Sequence, residues 1–223
     1  MNTKTKSNEL FEQYLKKHKL RYEYENFKGQ KQPDYLVTTK YGNIICEVKE
    51  FNSSGKDPYA PIRAKIDKAK EKFREYKKQN IPCVLVLSNA LNKPISLADD
   101  WVLGAMYGNI NVELHRFLPI AAKEPTFYFN KNGKLRNYNT TISAIAILEK
   151  VISKSDKIVL QEERRKNPLR SKSTREMAKH ICNVYLKYPN IGNRILRMRI
   201  YHNCNAKNPL NKDVFCEEDE RYE

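Results

Sequence analysis

The spacing of apolar residues predicts a helix and a strand near the N-terminus. Four large apolar residues recur at helical spacing, namely Leu10, Phe11, Tyr14 and Leu15. Such a stripe predicts an amphipathic helix that ends near His18, with Ser7 or Asn8 as its capping residue. Tyr22 and Tyr24 then alternate with charged residues, which is typical of a short strand.

Two apolar runs on either side of a polar turn predict a β-hairpin. The runs are residues 34–39 and 44–49. An antiparallel hairpin centred at residues 40–41 sets Asp34 opposite Glu47. Directly opposed side chains have Cβ atoms about 5 Å apart, so we expect these two carboxylates to be neighbours.

Further along the chain, the pattern predicts a second helix and two buried strands. One face of the helix at residues 62–76 is apolar, and it consists of Ile62, Ile66, Ala69, Phe73 and Tyr76. Residues 82–87, and residues 142–148 apart from Ser143, are apolar without alternation, as buried strands are. The order helix, strand, strand, helix, strand predicts an α/β sandwich with a mixed sheet, in which the hairpin is antiparallel.

The amino-acid composition shows that the protein is strongly basic. The 223 residues favour one large domain, or a domain with an extension, and the 40% of hydrophobic residues suffices for a core despite a mean hydropathy of −0.76. Lys and Arg number 42 against 26 Asp and Glu, a formal net charge of +16. A polyanionic partner is therefore expected, and its contacts are expected in two basic segments, residues 63–78 and 164–179.

The same sequence argues against membrane insertion and export. The apolar runs are far shorter than the roughly 20 residues that a membrane-spanning helix needs. No apolar segment follows the charged N-terminus, as it would in a secretory signal. Five cysteines, an odd number without a CxxC pair, argue against a disulfide framework. We expect a cytoplasmic protein that does not bind membranes.

The predicted hairpin brings candidate chemistry together on one face. Side chains alternate along a strand, so Glu47 and Lys49 point the same way, and Asp34 opposes Glu47. Two carboxylates at that separation repel each other unless they share a proton or bind a cation. The alternative for these three residues is a purely structural role, as a surface ion network at a sheet edge.

Pro33-Asp34, twelve intervening residues and Glu47-Val48-Lys49 resemble the PD-(D/E)XK motif of the restriction-endonuclease-like nuclease superfamily. The resemblance covers about residues 7 to 90. It implies a restriction-endonuclease-like core, with a central mixed β-sheet flanked by helices. On this interpretation residues 1–223 form a single nuclease domain, with the core at about 7–152 and a basic C-terminal helical extension at about 153–223.

The resemblance also implies roles for the motif residues. Asp34 and Glu47 would be ligands of a divalent cation, together with the Val48 carbonyl, and Lys49 would orient or deprotonate the attacking water. Hard carboxylate oxygens suit Mg²⁺, with Mn²⁺ as the alternative. The implied reaction is metal-dependent hydrolysis of phosphodiester bonds in nucleic acid, with DNA as the expected substrate. Double-strand cutters of this superfamily often work as dimers, so a homodimer is compatible with the resemblance.

Many members of the superfamily add a Glu from the first helix. Here Glu9 and Glu12 are both candidates, and helical geometry favours Glu12 because it lies nearer the apolar stripe. RecB-like members carry a QxxxY motif in the helix after ExK, where this chain has Lys72 in place of Gln, followed by Tyr76. Basic side chains of this helix are expected to contact phosphates, and we assign that role to Arg63, Lys65 and Lys72.

Two other functions remain open at this level. One is a nucleic-acid-binding module without catalysis, and the other is a subunit of a restriction or defence assembly. Residues 174–187 are predicted to form a helix, and a zinc site is disfavoured for His180-x-Cys182 because residues two apart on a helix project about 200° apart. Trp101 is expected in the core or at its rim rather than stacked on bases.

Overall fold

The structure, a computed structural model, describes residues 4–25, 32–51, 59–107, 140–166, 173–188, 194–215 and 219–222. The chain divides into two compact units. The first unit comprises Met1–Leu148 and Met198–Glu223, and the second is Glu149–Arg197. No helix in the described ranges combines the length and the apolar character needed to cross a membrane.

The chain begins with a helix and three antiparallel strands. These elements are α1 (Lys6–Lys17), β1 (Arg21–Tyr24), β2 (Tyr35–Thr39) and β3 (Gly42–Glu50). Their order and approximate bounds are as the hydrophobic pattern predicts.

The predicted helix cap was wrong. Thr5 is the N-cap of α1, and its hydroxyl oxygen accepts a hydrogen bond from the Asn8 amide at 3.3 Å. Ser7 lies inside the first turn instead. Its amide and its hydroxyl both donate to the Glu50 carboxylate at 3.1 Å, which ties the start of α1 to the end of β3.

The middle of the chain supplies the second layer and the centre of the sheet. It contains α2 (Ala60–Lys78), β4 (Cys83–Ser88), α3 (Asp99–Tyr107) and β5 (Ala144–Ile152). Pro61 occupies the first turn of α2, where its missing N–H costs nothing. The predicted apolar face of α2 packs into the core, with Ile62 and Phe73 fully buried.

The C-terminal range contains α4 (Lys154–Lys166), α5 (Thr174–Lys187), β6 (Arg194–His202) and β7 (Glu220–Tyr222). The predicted helix at α5 is confirmed and starts with a capping box. The range also contributes two strands that the sequence analysis did not assign, because the basic residues of β6 interrupt its apolar pattern.

The sheet has seven strands in the order β1-β2-β3-β4-β5-β6-β7. Strands β1, β2 and β3 pair antiparallel, β3, β4 and β5 pair parallel, and so do β6 and β7. The predicted α/β class with a mixed sheet is therefore confirmed. The predicted hairpin register is also confirmed, since Tyr35 opposes Cys46 and Leu36 opposes Ile45.

Candidate metal centre

Asp34 lies immediately before β2 and is fastened to the neighbouring strand. One oxygen of its carboxylate, Oδ2, accepts a hydrogen bond from the backbone amide of Val48 at 2.8 Å. This bond extends the β2–β3 pairing beyond the last ladder pair, Tyr35 with Cys46. Asp34 is thereby held next to Glu47, as the register predicts. The role of the Val48 carbonyl as a ligand stays a prediction.

Glu47 is the buried member of the cluster, with a side chain that is 0% exposed. It lies on β3, an interior strand of the sheet with β2 and β4 as its neighbours. Lys49, two residues further along the same strand, forms an ion pair with Oε1 of Glu47. The predicted cluster of Asp34, Glu47 and Lys49 is therefore assembled by β3 and the residue before β2.

Lys72 on α2 also belongs to this cluster, and its contact with the two carboxylates was not predicted from the sequence. Its Nζ lies 2.6 Å from Oε1 of Glu47 and 3.5 Å from Oδ1 of Asp34. In the structure the ammonium group of Lys72 pairs with the carboxylates, and its predicted contact with phosphate stays a prediction. The position of Lys72 on the helix was the feature of the sequence that could have indicated this contact, since Lys72 borders the apolar face that contains Phe73.

Burial and charge act in opposite directions on the ionisable groups. Burial raises the pKa of Glu47, the Asp34 carboxylate adds to this effect, and the ammonium groups of Lys49 and Lys72 oppose it without cancelling it. Burial by itself would lower the pKa of Lys72, but the adjacent carboxylates outweigh it and hold that pKa above its usual value. The site thus concentrates two negative and two positive groups in a partly dehydrated space.

The cluster contains an unsatisfied atom that suits a cation. In the part of the chain that the structure describes, the buried Oε2 of Glu47 has no hydrogen-bond partner. A buried carboxylate oxygen without a partner costs free energy, and a divalent cation would remove that cost. Two carboxylates form a hard donor set that fits Mg²⁺ or Mn²⁺.

Glu12 lies closer to the interior than Glu9, as the helical geometry predicts. Glu9 is exposed, whereas the Glu12 side chain is 12% exposed and accepts a hydrogen bond from the Tyr35 hydroxyl at 3.2 Å. Its other partner is Lys4, whose Nζ lies 2.5 Å away. Across the described ranges, no three His, Cys, Asp or Glu side chains form a metal-binding group, so Glu12 is not gathered with Asp34 and Glu47. Its role as a ligand stays a prediction.

Arg63, near the start of α2, lies against an aromatic pair. Its guanidinium carbon is 5.0 Å from the ring centre of Tyr59, and an Nη donates to the Gly104 carbonyl at 3.4 Å. Tyr59 in turn packs on Trp101 with 5.0 Å between ring centres. Trp101 is partly buried against the core, as predicted. The phosphate contact of Arg63 stays a prediction.

Lys65 faces a different environment, on the side of α2 that approaches the cluster. Burial lowers its pKa, and the positive charges of Lys68 and Lys49 lower it further, whereas Glu50 opposes this shift. The positive charges of Lys65, Lys68 and Lys49 therefore form one region of positive potential. Such a region attracts phosphate groups.

No family model, curated protein or solved structure matches this chain.

Proposed function

We propose that the protein is a metal-dependent nuclease that hydrolyses phosphodiester bonds of DNA at the cluster of Asp34, Glu47 and Lys49. The observation that carries this proposal is the pairing of Asp34 with the backbone of β3 beside a buried Glu47 whose Oε2 has no partner among the described residues. The net charge of +16 supports a polyanionic substrate.

Asp34 and Glu47 are the residues that would hold Mg²⁺. When bound, Mg²⁺ supplies Lewis-acid polarisation of a phosphate oxygen and lowers the pKa of water. Lys49 lies at the edge of the site, with 22% of its side chain exposed. Its ammonium group orients the attacking water and stabilises the negative charge that develops on the phosphate.

The fold we assign to this function is the restriction-endonuclease-like core. The supporting features are the antiparallel β2–β3 hairpin that carries both halves of the motif, the parallel strand β4 beside it, and the basic helix α2 between β3 and β4. The hairpin positions the carboxylates, and α2 brings basic side chains to their edge.

A nucleic-acid-binding module without catalysis is the second candidate. The observation that favours it is that two ammonium groups, from Lys49 and Lys72, already pair with Oε1 of Glu47. In that case the cluster would be an ion network that holds α2 against β3, and the basic face of α2 would bind phosphates without a reaction. A subunit of a restriction or defence assembly would use the same surface.

The test is cleavage of supercoiled, linear and single-stranded DNA and of RNA by wild type, Asp34→Asn and Lys49→Ala. Each reaction is run with Mg²⁺, Mn²⁺ or EDTA. Asp67→Asn is the matched control, because Asp67 is an exposed carboxylate on α2 that pairs with Lys70. The nuclease proposal predicts cleavage by wild type and Asp67→Asn, lost in both site variants and in EDTA. Salt-sensitive binding by all four proteins with no cleavage would favour the binding module.

A further inference from the structure

One oxygen of Glu47 is held by two ammonium groups from different elements. Lys49 reaches Oε1 along β3, and Lys72 reaches the same oxygen from α2 at 2.6 Å. Lys72 also lies 3.5 Å from Oδ1 of Asp34. Lys72 therefore bridges the two carboxylates that the proposed function assigns to the metal.

A cation held by both carboxylates competes with this bridge. Oxygen ligands of Mg²⁺ lie about 2.0–2.1 Å from the ion. An ion bound to Glu47 and Asp34 would then lie within a few ångströms of the present position of the Lys72 ammonium. Positive charges at that separation repel strongly in a partly buried site.

The side chain of Lys72 is able to leave. It is 25% exposed and extends from the surface of a helix, so its ammonium group can move toward solvent by rotation of its own side chain. Lys49 lies on the same strand as Glu47 and does not connect α2 to the hairpin. The two lysines therefore differ in what they hold together, although they share one oxygen.

We propose that Lys72 is an internal counter-ion that bridges Asp34 and Glu47 in the metal-free protein and that a divalent cation displaces. This inference rests on the metal site of the proposed function. Lys72 acts through the two carboxylates, so it is a positioning residue that sets the affinity for the metal. Once displaced, its ammonium group moves toward solvent, to which 25% of the side chain is already exposed.

The test measures Mn²⁺ affinity by calorimetry or by electron paramagnetic resonance, without nucleic acid. Lys72→Gln should bind Mn²⁺ at least about tenfold more tightly than wild type, because removal of the bridging charge abolishes the competition. Lys72→Arg keeps the charge and should bind within about threefold of wild type. Lys78→Gln is the matched control, because Lys78 is an exposed lysine at the end of the same helix that pairs with Glu75, and it should change the affinity less than about twofold.

Unchanged or weaker Mn²⁺ binding by Lys72→Gln would overturn the inference, and so would an equal gain in Lys78→Gln. Absence of Mn²⁺ binding in every protein would overturn it as well. Lys72→Met keeps the aliphatic stem and serves as the second variant if Lys72→Gln does not fold. Cleavage by wild type is measured separately. Tighter Mn²⁺ binding by Lys72→Gln without cleavage by wild type would support Lys72 as the counter-ion and contradict the nuclease. Cleavage by wild type with unchanged Mn²⁺ affinity of Lys72→Gln would support the nuclease and contradict the counter-ion.

Discussion

The carboxylate of Asp34 accepts a hydrogen bond from the backbone amide of Val48 at 2.8 Å, so a residue before one strand is fastened to the middle of the next. The bond both stabilises the hairpin and orients the carboxylate of Asp34. It continues the hairpin pairing by one step, and it leaves Oδ1 of Asp34 directed toward Lys72 beside Glu47.

Two substitutions of Asp34 separate these roles. Asp34→Asn keeps an acceptor for the Val48 amide but removes the negative charge, so we expect less than about 1 kcal/mol of destabilisation together with a loss of cleavage of at least about 100-fold. Asp34→Ala leaves the amide without its acceptor and should destabilise the protein by about 1–3 kcal/mol. Urea unfolding and initial cleavage rates measure the two effects. Equal stability of the two variants would contradict the structural role.

The contact between Glu12 and Tyr35 should appear as an energetic coupling. Tyr35 is fully buried and donates to Glu12 at 3.2 Å, so a double-mutant cycle with Glu12→Ala and Tyr35→Phe should give an interaction energy of about 0.5–1.5 kcal/mol. Glu9→Ala is the control, because Glu9 is exposed on the same helix. The free energies of Glu9→Ala and Tyr35→Phe should add within about 0.5 kcal/mol. Coupling of the same size in both cycles would show that the contact is not specific.

The buried cysteines should resist alkylation in the folded protein. Burial raises the pKa of Cys83 to about 12, and burial likewise raises the pKa of Cys46, whereas Cys182 and Cys204 are exposed. Only the thiolate reacts, and a raised thiol pKa means that almost no thiolate forms near pH 8. Peptide mapping after iodoacetamide treatment should therefore show Cys182 and Cys204 labelled at least about 100-fold faster than Cys46 and Cys83.

Urea is the control for this experiment, since unfolding should make Cys46 and Cys83 react as fast as Cys182. Rapid labelling of Cys46 or Cys83 without urea would contradict the packing of β3 against β4, the strands on which the two residues lie.

Lys65 should contribute to nucleic-acid binding through charge. Its position beside Lys49 and Lys68 predicts that Lys65→Gln weakens DNA binding and lowers the slope of log affinity against log salt by about 1, independent of DNA sequence. Lys16→Gln removes an exposed charge from α1 and should leave the slope unchanged. Fluorescence anisotropy at several salt concentrations measures both. Equal slopes for Lys65→Gln and wild type would remove Lys65 from the phosphate contacts.

The hairpin and its register were predictable from the sequence because they depend on local pattern. Strand alternation and the position of the turn together determine which residues oppose each other, and the pairing of Tyr35 with Cys46 follows. The class of the fold was predictable for a similar reason, since the apolar residues of α1 and α2 recur at helical spacing and the apolar run of β4 is continuous in sequence. The cap of α1 was missed because Thr5, Ser7 and Asn8 all favour capping, and only the contact with Glu50 places Ser7 inside the helix.

The bridge from Lys72 to the carboxylates could not be predicted from the hydrophobic pattern of the sequence. Helical phase shows which face of α2 is buried, but it does not show that a lysine at the border of that face reaches across to β3. The strands β6 and β7 were missed because alternating Arg residues and a short length weaken their signal.

Metal-dependent hydrolysis at Glu47 is tested most directly by the initial rate of DNA cleavage by wild type and Glu47→Gln across a Mg²⁺ titration. We expect a saturable rise of the rate for wild type and a rate at least about 100-fold lower for Glu47→Gln at every concentration, with far-ultraviolet circular dichroism showing that both proteins are folded. Cleavage by folded Glu47→Gln at the wild-type rate, or cleavage by wild type that persists in EDTA, would contradict metal-dependent hydrolysis at this residue.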